Sequence, residues 1–197
     1  MPKPIHSLLV AGVAGGGATV RPLAKKLERA GAKAIVARAP LIRTLSVVRE
    51  AKKVRAMILK QPEGLTLFGY SMGGLICALV LEEPLIARRV PRLVTYGTPF
   101  DGTLVALPGA LFDWGLSRHP PDMHPGSALI ERVARVINDP HRPWSFAAVN
   151  GTGDILAPFP QGNVPARETI EVPHGHTSLL HDEELQNYVT RLILIGG

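Results

Sequence analysis

Apolar residues in this chain gather in short runs, and between the runs they recur at helical spacing. Residues 5–11 form a run that stops at Gly12, the pattern of a buried strand. After the glycines at 15, 16 and 17, Val20, Leu23, Ala24 and Leu27 return every three or four residues as far as Gly31, which predicts a helix ended by glycine. Residues 34–37 read as a second strand, closed by Pro40. Leu45, Val48, Ala51, Val54 and Ile58 then mark one face of a second helix, with basic residues mostly on the other, and Pro62 and Gly64 end it. Further strands are expected at 65–68, 92–96, 146–149 and 169–172. A mostly apolar helix with Leu75, Ile76, Leu79 and Val80 follows the third strand, and a last helix is expected from about residue 178 to 195. Strands alternating with helices predict an α/β fold: about six mainly parallel strands, helices on both faces and right-handed crossovers.

Residues 100–143 break the rhythm. They contain no clear strand, many prolines, and two short apolar stretches, at 104–116 and 128–137. A long insertion in a compact domain is often functional, and this one is read as a cap over the site. The alternative is a helical excursion that covers the sheet. The whole chain, 1–197, is read as a single domain.

Composition narrows the class. Hydrophobic residues make up 46% and charged residues 19%, a globular rather than a disordered balance. The single cysteine, Cys77, lies within an apolar helix pattern and reads as a buried structural thiol. No Cys/His cluster has zinc-site spacing, so no metal is expected. The net charge of +6 comes with small basic clusters at Arg49, Lys52, Lys53 and Arg55 and at Arg88, Arg89 and Arg92. No aromatic residues interleave with them, so they read as solvated helix faces rather than a nucleic-acid surface. There is no signal-peptide pattern and no apolar run long enough to cross a bilayer. The expectation is a soluble, cytoplasmic protein without an integral membrane segment, secretion with a removed signal staying open.

The candidate chemistry starts at Ser71, in Gly69-Tyr70-Ser71-Met72-Gly73-Gly74. Gly-x-Ser-x-Gly is common by chance, but here it stands between a strand and an apolar helix, the context a nucleophile elbow needs. Glycines leave room in so tight a turn, and the helix N-terminus favours developing negative charge. A plain helix-capping serine is the alternative. A serine hydroxyl needs a base and an acid that orients the base. Asp154 follows the fifth strand in Asn150-Gly151-Thr152-Gly153-Asp154 and is read as the acid, against a turn aspartate bonding its own backbone. Of the histidines after the last strand, His176 fits the base best, His174 competes with it, and His181 is expected on the final helix. The oxyanion donors are read as the N–H groups of Met72 and of Val13, in a glycine-rich loop that lacks the lysine and hydroxyl of a P-loop and is not a dinucleotide fingerprint.

These residues resemble the α/β-hydrolase superfamily, and within it small bacterial lipases and lipase-like esterases. Tyr96-Gly97-Thr98-Pro99-Phe100-Asp101-Gly102-Thr103, Asp122-Met123-His124-Pro125-Gly126-Ser127 and Gly175-His176-Thr177-Ser178-Leu179-Leu180 resemble three further segments of those lipases, in their order. The last favours His176 over His174. Two departures stand out: Ala11-Gly12 replaces the usual His-Gly, and Tyr70 replaces a common histidine before the nucleophile. The resemblance implies a minimal α/β-hydrolase fold and a carboxylic ester hydrolase acting through an acyl-serine on a small-molecule or lipid ester. No cofactor is implied. Leu111, Phe112, Trp114 and Leu116 could line an apolar acyl site, with core packing the alternative. An acyltransferase or thioesterase with the same triad, and a non-catalytic binding protein on the same fold, stay open.

Overall fold

The structure, a computed structural model, describes residues 5–12, 16–37, 46–104, 121–158 and 161–195. Among the described residues, six strands form one sheet: β1 (His6–Val10), β2 (Lys33–Ala37), β3 (Thr66–Tyr70), β4 (Arg92–Tyr96), β5 (Ser145–Gly151) and β6 (Thr169–Val172). Their spatial order is β2-β1-β3-β4-β5-β6, and every neighbouring pair is parallel. Among the described residues the sheet is parallel throughout, in keeping with the mainly parallel sheet expected. All strands point their carboxyl ends to one edge, where open α/β folds bind ligands.

Alternation along the strands builds two cores. Leu8 and Val10 of β1, Leu67 of β3 and Leu93 of β4 face one side. They meet α2 (Val47–Ile58), α3 (Met72–Val80), α4 (Pro84–Arg89) and α5 (Ala128–Ile137) there. Leu9, Phe68, Tyr70, Val94, Tyr96 and Val149 face the other side, against α1 (Arg21–Arg29) and α6 (Glu183–Leu194). Cys77 is fully buried, and burial pushes its thiol pKa up, which suits a structural thiol. No helix among the described residues is long and apolar enough to cross a membrane.

Several details depart from the pattern reading. The second helix starts at Val47, so Val47, Ala51, Val54 and Ile58 form its buried face and Val48 turns outward. Six-residue α4 was not anticipated; Pro84 starts it, and only Ile86 and Ala87 are buried. The last helix begins at Glu183 because the Asp182 carboxylate caps it, accepting from Leu185 N–H at 2.8 Å. His181 therefore lies before that helix and is exposed. Within the expected insertion, Ser127 caps α5. That helix puts Leu129, Ile130, Val133 and Ile137 into the same core as α3. Residues 105–120 of the insertion lie outside the described residues.

Candidate active site

Ser71 sits between the last residue of β3 and the first of α3, with φ 55° and ψ −129°. It is the one non-glycine with positive φ among the described residues. Such backbone costs about 1–3 kcal/mol and persists only where its surroundings impose it. Here Ser71 N–H donates to the Tyr96 carbonyl at 2.9 Å, and the Ser71 carbonyl accepts from Gly74 N–H at 2.9 Å. The glycines are sterically required. A Cβ at Gly73 would stand 2.1 Å from the Val10 carbonyl oxygen, and one at Gly69 2.4 Å from Gly74 Cα. A Cβ at Gly12 would stand 2.8 Å from Ser71 Cβ, so Gly12 lies directly beside the serine.

Asp154 follows the carboxyl end of β5 in a tight turn, its N–H bonded to the Gly151 carbonyl. Its Oδ1 accepts from the N–H groups of Leu156 and Ala157, both at 2.9 Å. That leaves Oδ2 to face His176 Nδ1 at 2.7 Å, with the Asp154 side chain fully buried. On the other edge of the imidazole, Nε2 lies 3.0 Å from Ser71 Oγ. One continuous chain thus runs from hydroxyl to imidazole to carboxylate.

His174 is held elsewhere. Its Nε2 is 3.1 Å from Asp182 Oδ2 at the start of α6, and its carbonyl accepts from Gly153 N–H. Of the three histidines considered, His176 alone reaches the serine. Met72 is the first residue of α3, where backbone N–H groups have no partner within the helix. Val13, Leu111, Phe112, Trp114 and Leu116 lie outside the described residues.

Two parts of the surroundings escaped the pattern reading. First, the Tyr96 hydroxyl donates to the Gly175 carbonyl at 2.7 Å and the Tyr70 hydroxyl to the His176 carbonyl at 3.1 Å. Burial, reinforced by the charge of Asp154, raises the Tyr70 pKa to about 12 and pushes that of Tyr96 up as well, so both phenols remain donors at neutral pH. Second, buried Gln161 closes the loop after β4. Its Nε2 donates to the Thr98 carbonyl at 2.7 Å, and its Oε1 accepts from Phe100 N–H. Asp101 completes this clasp by accepting from Gly162 and Asn163 N–H groups at 2.7 and 2.8 Å. A buried amide partnered 63 positions away leaves no periodic trace in a sequence.

A neutral imidazole held this way can take a proton from a hydroxyl on one edge while the carboxylate steadies the charge on the other. Among the described residues, no group of three or more His, Cys, Asp or Glu could hold a metal ion.

No family model and no curated protein matches the chain. Solved structures do. A Bacillus licheniformis lipase in mature form superposes with a TM-score of 0.76 at 15% identity, over 98% of this chain and 93% of that one. A Paleococcus ferrophilus monoacylglycerol lipase gives 0.71 at 16% identity, over 98% and 97%. An extracellular α/β-hydrolase from a Paenibacillus species gives 0.69 at 15% identity, over 98% and 99%. Together with the parallel sheet, these likenesses establish that the chain has the α/β-hydrolase fold.

Proposed function

We propose that this protein is a serine hydrolase that cleaves carboxylic esters. The observation that carries the reading is the hydrogen-bonded chain Ser71–His176–Asp154 on an α/β-hydrolase fold. His176 Nε2 takes the Ser71 proton as Oγ attacks the ester carbonyl, and the tetrahedral oxyanion forms against the N–H groups of Met72 and Val13. His176 then gives that proton to the leaving alkoxide, and an acyl-serine remains. Water, deprotonated by the same imidazole, attacks the acyl carbon; the Ser71 oxygen leaves as the acid is released and takes the proton back. Asp154 holds Nδ1–H throughout and is not itself protonated.

The superposing structures include two lipases, which favours an acyl ester as substrate. In this reading Leu111, Phe112, Trp114 and Leu116 line the acyl site, and the segment that carries them caps it.

The test is labelling with a fluorophosphonate probe beside Ser71→Ala, followed by hydrolysis of p-nitrophenyl esters of short and long chains. Wild type is expected to label and turn over, and Ser71→Ala to do neither. No labelling of wild type sinks the enzyme reading, and labelling that survives Ser71→Ala sinks the nucleophile. Labelling without ester turnover points instead to acyl transfer by the same triad.

A further inference from the structure

Tyr70 and Tyr96 are the last residues of the neighbouring strands β3 and β4, and they are register partners. Their side chains therefore leave the same face of the sheet, with rings stacked at 6.2 Å and 16° between planes. Both rings are buried, at 5% and 0% exposure, so their only polar atoms need partners. They find them in two consecutive carbonyls, Gly175 and His176, of the loop that carries the imidazole. The Tyr70 ring also lies 5.3 Å from the His176 ring, tilted by 35°.

We infer that Tyr70 and Tyr96 are positioning residues which tether the backbone of the His176 loop to the strand ends carrying the serine. This rests on the reading of His176 as the base. The physical case lies in what else holds the loop. The imidazole makes one hydrogen bond to Asp154 and one to Ser71, and both depend on where its backbone sits. Nearby backbone bonds, Ser178 N–H to Gly175 and Gly153 N–H to His174, tie the loop to itself and to the turn of Asp154. The two phenols tie it to the sheet beneath the nucleophile. Tyr70 is covalently joined to Ser71, so one residue sets the serine and fastens the base loop.

The test uses Tyr70→Phe, Tyr96→Phe and the double variant. Phenylalanine keeps the ring in the core and removes only the hydroxyl. Tyr188→Phe, on α6, serves as control because, among the described residues, no hydrogen bond joins the Tyr188 side chain to that loop. Two readouts are taken: kcat and KM on a p-nitrophenyl ester, and hydrogen–deuterium exchange of the amides at 174–178. Each single variant is expected to lower kcat about tenfold and the double about a hundredfold, the scale of a base displaced by a fraction of an ångström. KM should stay within about twofold. Amides at 174–178 should exchange about tenfold faster, the effect of one lost hydrogen bond. Tyr188→Phe should change neither readout. Wild-type exchange in the double variant overturns the tether. Faster exchange with unchanged kcat overturns the positioning role. Should wild type fail to turn over any ester, exchange decides the tether alone and the failure falls on the proposed activity. Either single variant suffices if the double does not fold.

Discussion

Replacing Gly97 with alanine should damage the candidate site by an amount the structure allows to be worked out. Gly97 follows β4 with φ 56°, and its N–H donates to the Val149 carbonyl at 3.0 Å, a bond alanine keeps. A Cβ there would stand 2.8 Å from Asp154 Oδ2 and 3.0 Å from His176 Nδ1. Ordinary contact begins near 3.4 Å, so the carboxylate must retreat by about 0.6 Å and the imidazole by about 0.4 Å. Either movement lengthens the 2.7 Å bond between them or the 3.0 Å approach to Ser71 Oγ. Since an ångström of misplacement costs about a hundredfold, about half of that costs roughly tenfold in kcat, or about 1.4 kcal/mol of barrier. Left-handed backbone in a residue with a Cβ adds about 1–2 kcal/mol of lost stability.

Gly31→Ala separates the two effects. Gly31 also has positive φ, 86°, at the end of α1, but nothing lies within 4 Å of a Cβ placed there. Both variants should lose about 1–2 kcal/mol in urea unfolding, and only Gly97→Ala should lose kcat on a p-nitrophenyl ester. A Gly97→Ala variant with kcat within twofold of wild type would falsify the claim that space beside Asp154 and His176 limits the proposed chemistry.

Three further outcomes follow from other contacts. His176→Ala should cost about four orders of magnitude or more in kcat, whereas His174→Ala, which removes only the partner of Asp182, should stay within about threefold; the reverse pattern would reassign the base. Gln161→Leu removes the hydrogen bonds to the Thr98 carbonyl and from the Phe100 N–H, which keep only their 3.0 Å bond to each other, at about 0.5–1.5 kcal/mol for each bond lost. Urea unfolding should show a loss of about 1–3 kcal/mol, and a loss under about 0.5 kcal/mol would mean that the loop relaxes freely. The raised phenol pKa values make stability pH-dependent on the alkaline side. The contribution is complete below the unfolded value of about 10 and is lost as pH rises towards about 12, the folded value for Tyr70. Urea midpoints should fall across that window in wild type and fall less steeply with Tyr70→Phe and Tyr96→Phe combined. The phenolate absorbance of Tyr70 and Tyr96 is the difference between wild type and that double variant; if it rises with an ordinary midpoint while the protein is folded, the burial of both groups is refuted.

What the sequence made legible follows one rule: features set by near neighbours could be read, and features set by distant partners could not. Apolar runs announced the inner strands β1, β3, β4 and β5 because a doubly covered parallel strand buries both faces, and the half-buried edge strands β2 and β6 were read from short runs of their own. The elbow was legible because its requirements, glycines within a few positions of Ser71 between a strand and a helix, are local. Asp154 and His176 were legible through position, each just beyond a strand. Helix α4 was not, because six residues with two buried positions carry no period. The strand order was not, because alternation shows that strands are buried and not which are neighbours. Gln161 looked like an ordinary loop residue, and its role depends on carbonyl and N–H groups some 60 positions away. Tyr96 fitted its strand as an apolar residue and Tyr70 stood in the elbow in place of a histidine, which concealed that each also carries a donor to the histidine loop.

The strand order also explains why the residue after β4 must be glycine. Ser71 leaves β3 and Asp154 follows β5, and β4 lies between them. Neighbouring strands are about 4.8 Å apart, so serine and aspartate start from ends separated by about 10 Å. One imidazole, with a hydrogen bond at each edge, spans that gap, and its path crosses directly over the end of β4. Whatever stands there must leave the path empty. Tyr96 ends β4 with its side chain turned to the sheet face, where its hydroxyl reaches the histidine loop from beneath. Gly97 then offers no side chain at all to the space where His176 and Asp154 meet. A site that strings its hydroxyl, imidazole and carboxylate across three adjacent strands therefore constrains the middle strand as tightly as the outer two, although that strand contributes no member of the chain.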